Sequence, residues 1–182
     1  RWDDSSNSDL DLPRPKSGTA LAWDNNTYIY VMFGGAKNGR NRKDFYRYNI
    51  TDNSWKPLND TPHSQGAGDA ITWAHDSIDA VMGSRWPKHN GTRFASYNCS
   101  NNNNLWENLT LNQNWNNVTD DGASLVGTGG KYLYAWQGEV GEYKNKPHKP
   151  ITNFSRYNIS NNSNGTFNSI SSMIFSRTSS SP

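Results

Sequence analysis

The chain has 182 residues and a mass of 20.5 kDa, which suits one domain or part of a larger one. Its 18 Lys and Arg against 16 Asp and Glu give a formal charge of +2, which predicts no general attraction to nucleic acid. Charged residues make up only 19%, which excludes a charge-driven disordered tail, and the 13% of aromatic residues favours a β-rich core. No apolar run is long enough to cross a bilayer. No signal peptide is visible and the chain begins with Arg1, from which we expect a mature or trimmed product.

Asparagine is the most unusual feature of the composition, with 26 residues beside 21 Ser and 12 Thr. Together they form 11 Asn-x-Ser/Thr sequons, the acceptor motif for N-linked glycans, where chance predicts about five. The excess predicts a heavily N-glycosylated protein that is extracellular or exposed at the cell surface. The alternative is that an Asn-rich polar chain forms sequons through its composition alone. The acceptor positions are Asn25, Asn49, Asn59, Asn90, Asn98, Asn108, Asn117, Asn153, Asn158, Asn161 and Asn164.

The first predicted structural unit contains four short strands. Residues 18–23 begin with glycine and continue as an apolar run, and residues 28–35 are rich in aromatic and branched side chains and end in two glycines. Residues 45–50 form a third run that contains three rings, and Trp55 marks a fourth. Short β-branched and aromatic runs bounded by Gly, Asn, Asp or Pro are typical of strands.

The same pattern occurs twice more along the chain. The opening glycines Gly18, Gly68 and Gly122 are 50 and then 54 residues apart. The later runs are 68–73, 78–83 and 94–99 with Trp106, and 122–127, 132–138 and 154–159 with Phe167. Four strands per unit at a period near 50 predict four-stranded sheets arranged radially, each of which buries both faces against its neighbours.

Three features repeat within these units. They are two glycines after the second strand, a tyrosine in the third strand and a ring six to nine residues later. The tyrosines are Tyr48, Tyr97 and Tyr157, and the later rings are Trp55 and Trp106, with Phe167 as a departure. The double glycine is intact at Gly34-Gly35 and reads Gly83-Ser84 and Gly138-Glu139 in the other units. The combination resembles the kelch repeat over about residues 13–175, and this resemblance implies an all-β propeller with about three four-stranded blades.

The ends of the chain extend the repeat. Trp2 lies 16 residues before Gly18, as Trp106 lies before Gly122, so Trp2 is predicted to belong to the last strand of a preceding blade, with a simple tail as the alternative. Propellers typically use about 4–8 blades, so we expect a segment of a longer propeller, or closure by a second copy as the alternative. The predicted divisions are 1–12 for the preceding strand, 13–62, 63–117 and 118–172 for the blades, and 173–182 for a further lead-in.

Basic residues are concentrated between the second and third strands of each unit. Because strands alternate in direction, these loops share one face with the connections from each fourth strand to the next blade. Ten of the 18 Lys and Arg lie in residues 35–43, 84–93 and 138–151. We expect this face to bind a protein partner or a glycan, with ordinary solvated loops as the alternative. The candidate binding residues are Lys37, Arg40, Arg42, Lys43, Arg85, Trp86, Lys88, Tyr143, Lys144, Lys146 and Lys149.

The other loops predicted on that face are acidic. A face of mixed charge favours protein–protein contact over the capture of a polyanion. The acidic residues are Asp3, Asp4, Asp9, Asp11, Asp60, Asp120 and Asp121.

An asparagine follows the tyrosine of every third strand, at Asn49, Asn98 and Asn158. Glycans there would decorate each blade at the same height, and the side chains also suit a turn in which they cap their own backbone. Both roles are compatible. Cys99 takes an apolar position of the repeat, which predicts a core residue and not a nucleophile, and a single cysteine forms no internal disulfide.

Some kelch-like propellers are enzymes, including copper radical oxidases similar to galactose oxidase, which need two His, two Tyr and a cysteine cross-linked to a Tyr. The histidines here fall in different loops with no two at ligand spacing: His63, His75, His89 and His148. The sequence therefore predicts no catalytic residues, no metal and no cofactor beyond covalent N-glycans. A carbohydrate-active oxidase with its catalytic residues outside this segment is the alternative.

These observations favour a non-catalytic extracellular scaffold, adhesion or assembly module, such as a subunit of a surface layer, sheath or filament. Its expected partners are proteins, glycans or further copies of itself, without nucleic acid. The prediction of assembly rests on the unpaired blade edges at both ends.

Overall fold

The computed structural model describes residues 15–35, 42–83, 93–100, 105–109, 122–140, 149–150, 153–159 and 167–172. Within these ranges the protein is all-β, with no helix. The same ranges accordingly contain no apolar helix of membrane-spanning length. The predicted all-β fold class is confirmed.

Three four-stranded antiparallel sheets follow one another along the chain. Sheet 1 has the order β1 (Ala20–Trp23), β2 (Tyr28–Met32), β3 (Phe45–Asn49) and β4 (Ser54–Pro57). Each strand pairs antiparallel with its sequence neighbour, and the four-residue connections after β1 and β3 can join only antiparallel strands.

Sheet 2 repeats this order with β5 (Ala70–Ala74), β6 (Ser77–Met82), β7 (Arg93–Asn98) and β8 (Trp106–Leu109). Its strands also pair with their sequence neighbours.

Sheet 3 consists of β9 (Ser124–Gly127), β10 (Tyr132–Trp136), β13 (Asn153–Asn158) and β14 (Phe167–Ser172). A two-stranded ribbon interrupts the connection between β10 and β13. It pairs β11 (Glu139–Val140) with β12 (Lys149–Pro150) and is an addition that the repeat did not predict.

The strand registers match the sequence repeat, apart from an irregularity in the β13–β14 pairing between Phe154 and Ser155. The tyrosine of each third strand is directly opposite the later ring of the fourth. These pairs are Tyr48 with Trp55, Tyr97 with Trp106 and Tyr157 with Phe167. Equivalent positions in the three sheets can therefore be compared directly.

The sheets lie side by side with their first strands adjacent. Strand β1 contacts β5, and β5 contacts β9. This arrangement is a propeller-like segment in which each sheet is one blade, and the described residues do not form a closed barrel.

The core lies between the sheets, in two layers. The first layer joins sheets 1 and 2, and its largest members include Tyr30, Met32, Phe45, Ile78 and Tyr97. The second joins sheets 2 and 3 through Ala74, Val81, Phe94, Leu133, Ala135 and Tyr157. Side chains alternate across a strand, so β6 sends Ile78 to one layer and Val81 to the other and is buried on both faces.

Glycine allows the chain to turn sharply after β2. Gly34 and Gly35 have φ angles of 61° and 49°, which L side chains rarely adopt, as expected from the double glycine. A Cβ on Gly34 would also lie 2.5 Å from the Ser17 carbonyl oxygen. The two glycines therefore allow the end of β2 to pack closely against residues 16–19 of the lead-in.

Candidate functional site

Two loops meet on one face of the molecule, where the β2–β3 loop of sheet 1 lies against the connection from β4 to β5. The Gln65 amide donates to the Arg42 carbonyl at 2.8 Å, and the Thr61 amide donates to the Lys43 carbonyl at 2.9 Å. We call this face the loop face. The alternating strand directions predicted that a loop within a sheet and a connection between sheets would lie together on this face.

Gln65 organises the loop face through its buried side chain. Its Oε1 accepts from the Gly34 amide at 3.0 Å, and its Nε2 donates to the Asp44 carbonyl at 2.7 Å. A buried amide group satisfied on both sides fixes the two loops relative to each other. Sequence reasoning missed this residue, because a lone glutamine in a connection carries no periodic signal.

Two of the predicted binding residues contribute to the internal structure of this face. Arg42 is only 8% exposed, and its Nε lies 3.0 Å from Oδ2 of Asp44. The Lys43 Nζ donates to the Pro62 carbonyl at 3.1 Å. Arg42 is therefore largely buried, and its charge is paired with Asp44, whose side chain is 40% exposed.

The remaining predicted binding residues are placed as follows. Lys149 lies in β12 of the ribbon. The others lie outside the described residues and stay predictions: Lys37, Arg40, Arg85, Trp86, Lys88, Tyr143, Lys144 and Lys146.

Asp69 forms a buried anchor between the loop face and the start of sheet 2. Its two carboxylate oxygens accept from the amides of Gly66 and Gly83, each at 2.9 Å. Burial raises the pKa of Asp69 well above 3.8, and the two backbone hydrogen bonds oppose that rise. In sheet 1 the equivalent residue is Thr19, whose hydroxyl donates to the Phe33 carbonyl at 2.9 Å. This position therefore ties the lead-in to the end of the second strand in both sheets.

The opposite face is built from the turns that contain several sequons. One backbone hydrogen bond recurs there in all three sheets, with 2.9 Å between the amide nitrogen and the carbonyl oxygen. The amides of Ile50, Cys99 and Ile159 donate to the carbonyls of Thr27, Asp76 and Lys131, respectively. The turn role predicted for the repeated asparagine is present in two sheets. The Oδ1 of Asn49 accepts from the Thr51 amide, and the Oδ1 of Asn98 accepts from the Ser100 amide, both at 2.9 Å.

The sequons differ in how far their asparagines reach solvent. Asn25, Asn59, Asn98 and Asn108 are exposed, Asn49 and Asn158 are half-buried, and Asn153 lies within β13. The Oδ1 of Asn108 is 2.8 Å from the Nε2 of His63. The sequons that lie outside the described residues are Asn90, Asn117, Asn161 and Asn164.

Cys99 is half-buried and packs against the core layer between sheets 1 and 2. Burial raises the pKa of its thiol to about 11, against the opposing effect of a hydrogen bond with Tyr30. A thiol with a raised pKa is a poor nucleophile at neutral pH. The core position predicted for Cys99 agrees with this environment.

The two histidines in the described ranges, His63 and His75, lie in separate places. His63 pairs with Asn108, and His75 lies against the Gly130 carbonyl of sheet 3. The part of the chain that the structure describes contains no group of three or more His, Cys, Asp or Glu side chains that could hold a metal ion.

Comparison with known proteins gives a structural match without a sequence match. No protein-family model and no curated protein matches the sequence. A solved structure described as "Structure of YjhT" is similar with a TM-score of 0.62 and 12% identity. The match covers 90% of this chain and 53% of that one, so the chain spans about half the length of that protein. At this identity the similarity shows the fold alone.

Proposed function

We propose that this kelch-like, three-sheet propeller segment acts as an extracellular, N-glycosylated scaffold, adhesion or assembly module, without catalytic activity of its own. The observation that carries the proposal is the exposure of sequon asparagines on turns and strand ends of a rigid sheet framework. Asn25, Asn59 and Asn98 are each exposed, and glycan acceptors on a secreted protein need that accessibility.

The loop face is the proposed site of partner binding. Connections that are held by a rigid scaffold commonly carry recognition residues, since loops vary without disturbing the sheets. The junction around Gln65 and Asp69 supports this role, because these side chains hold Gly34 and Gly83, the residues that follow β2 and β6. The mixed charge of the sequence in these loops favours a protein partner.

The mass of the secreted protein tests the glycosylation part. Expression through a secretory pathway should give a product several kilodaltons heavier than 20.5 kDa, which returns to the polypeptide mass after enzymatic removal of N-glycans. Replacement of Asn25 by Gln should remove one glycan. A product with no added sugar would contradict the extracellular glycoprotein.

Binding to immobilised extracellular proteins and glycans tests the loop face. Lys37→Glu combined with Arg40→Glu should weaken binding to any captured partner. Lys131→Glu is the matched control, since Lys131 is an exposed cation in a turn of the opposite face. Equal effects of the two changes would argue against a specific role for the loop face.

A further inference from the structure

Two sheet faces in the described residues have no neighbouring sheet. One is the face of sheet 1 that points away from sheet 2, and the other is the face of sheet 3 that points away from sheet 2. We call the first the leading face, which carries Leu21, Trp23, Ile29, Tyr48 and Trp55. We call the second the trailing face, which carries Val126, Tyr134, Trp136, Phe154 and Arg156.

Both faces expose apolar side chains at positions that are buried elsewhere in the molecule. Leu21 on the leading face is 63% exposed, while its equivalent in sheet 2, Ile71, is 6% exposed under sheet 1. Val126 on the trailing face is 52% exposed, while its equivalent in sheet 1, Ala22, is 7% exposed under sheet 2. Leu21 and Trp23, which is 53% exposed, lie on the same face, and contiguous exposed apolar surface marks an interaction site.

The rings of these faces match an interface that is already formed. Between sheets 1 and 2, Tyr30 stacks on Trp73 with ring centroids 6.1 Å apart. Phe45 lies 5.1 Å from Tyr97 and 4.9 Å from Trp106. These contacts give the sheets a ring-to-ring fit beyond the area that they bury.

The leading and trailing faces carry the two halves of that same set. The trailing face has Tyr134 and Phe154 at the positions of Tyr30 and Phe45. The leading face has Trp23, Tyr48 and Trp55 at the positions of Trp73, Tyr97 and Trp106. One chain therefore presents both complementary surfaces of the sheet 1–sheet 2 interface, at its opposite ends.

We propose that two copies of this chain pair head to tail, with the trailing face of each packed on the leading face of the other, and so close a ring of six sheets. A heterologous contact that closes after two copies gives a symmetric dimer without further growth. The inference concerns the sheet faces and does not depend on the loop face or the glycans.

The charge and the sequon on the trailing face are compatible with burial there. Arg156 lies over the Tyr132 ring at 4.4 Å, as Arg47 lies over the Tyr28 ring at 4.0 Å within the formed interface. Asn98 remains exposed although sheet 3 covers that face of sheet 2. A glycan at the equivalent Asn158 would likewise project into solvent at the edge of the ring of sheets.

Sedimentation of the secreted chain over a dilution series tests the proposal. The expected product is a dimer of two 20.5 kDa polypeptides plus glycans that does not grow at higher concentration. Leu21→Asp and Val126→Lys should each weaken dimerisation by roughly a hundredfold or more, since each buries an unpaired charge. Leu105→Asp is the matched control, because Leu105 is 61% exposed beside β8 and away from both faces. Both interface positions are exposed in the single chain, so the variants should fold, and circular dichroism checks this.

Mixing the two variants tests the head-to-tail geometry. A mixed pair contains one unchanged interface and one that places Asp opposite Lys, so dimers should return in the mixture although each variant alone stays monomeric. A monomeric parent chain, an open-ended polymer, a dimer that neither change weakens, or a mixture that stays monomeric would each overturn the proposal. Each of these outcomes leaves the mass test of glycosylation unaffected.

Discussion

The two interfaces between the sheets use the same positions for different chemistry. Between sheets 1 and 2, Tyr30 stacks on Trp73 and Phe45 packs between two further rings. Between sheets 2 and 3, the position of Tyr30 is Asp79, and the position of Trp73 is Gly127. Phe94 still packs edge-on against Tyr157, with centroids 5.0 Å apart.

The difference shows two ways of joining neighbouring blades. The first interface fills the space with rings, whereas the second brings the backbones together. A Cβ on Gly127 would lie 2.5 Å from the Trp73 carbonyl oxygen, and the Gly127 amide donates to the Thr72 hydroxyl at 2.8 Å. We therefore expect the first interface to resist changes of pH and the second to respond to them, because it buries a carboxyl group.

The largest effect is expected at the ring-filled interface. Phe45→Ala should lower the free energy of unfolding by about 3–5 kcal/mol, because it empties a position that is 1% exposed and contacts Tyr97 and Trp106. Phe94→Ala is the matched change at the other interface and should cost less. Urea unfolding of both variants measures the difference, and a larger loss for Phe94→Ala would reverse the comparison.

The pH dependence of stability distinguishes the interfaces next. Burial raises the pKa of Asp79 from 3.8 to about 6, against a hydrogen bond from Ser96 and the charge of His75. The folded state therefore holds the proton more tightly than the unfolded state, and this contribution is full below pH 3.8 and lost as pH rises through 6.

Asp79→Asn should abolish that contribution, which is of the order of 3 kcal/mol across the window. The variant should gain stability relative to the parent chain at pH 7 and lose this advantage at pH 4. Thermal unfolding at several pH values measures it. Parallel pH profiles for the two proteins would show that Asp79 titrates as an ordinary exposed carboxyl.

The close approach of β9 to β5 predicts a smaller, purely steric effect. Gly127→Ala should cost about 1–3 kcal/mol, since the added methyl group meets the Trp73 carbonyl and the Ala74 side chain. Gly130→Ala is the control in the following turn, where the nearest atom is 3.9 Å away. If Gly127→Ala proved as mild as Gly130→Ala, the backbones would not be in contact.

The smallest effect concerns one hydrogen bond across the second interface. Thr72→Val should cost about 1 kcal/mol by removing the acceptor of the Gly127 amide at nearly constant volume. Thr72→Ser keeps the hydroxyl and should retain that bond. Hydrogen exchange at the Gly127 amide should become faster in the valine variant alone. Unchanged exchange would show that the Thr72 hydroxyl does not protect this amide.

The sheets could be predicted from the sequence because rings and glycines recur at fixed intervals. The opposition of Tyr97 and Trp106, for example, is indicated by the ring that follows the third-strand tyrosine in every unit, after 7, 9 and 10 residues. The ribbon of β11 and β12 could not be predicted, since it lies within a single insertion of the third unit and has no counterpart to align.

The buried polar residues were the part of the site that sequence could not indicate. Asp and Arg side chains are seldom fully buried, and the neighbouring sequence gives no sign that Asp69, Asp79 and Arg42 are. Their burial depends on partners that the fold brings from other segments, such as the Gly83 amide for Asp69. The common face of the loops was predictable, because it follows from strand direction alone.

A crystal structure of the glycosylated chain would show directly how the sheets pack. We expect three successive blades joined through Phe45 and Phe94, with Phe154 of one copy packed on Tyr48 and Trp55 of the next in a ring of six sheets. Two flat layers stacked as a sandwich, or leading and trailing faces left open to solvent, would contradict it.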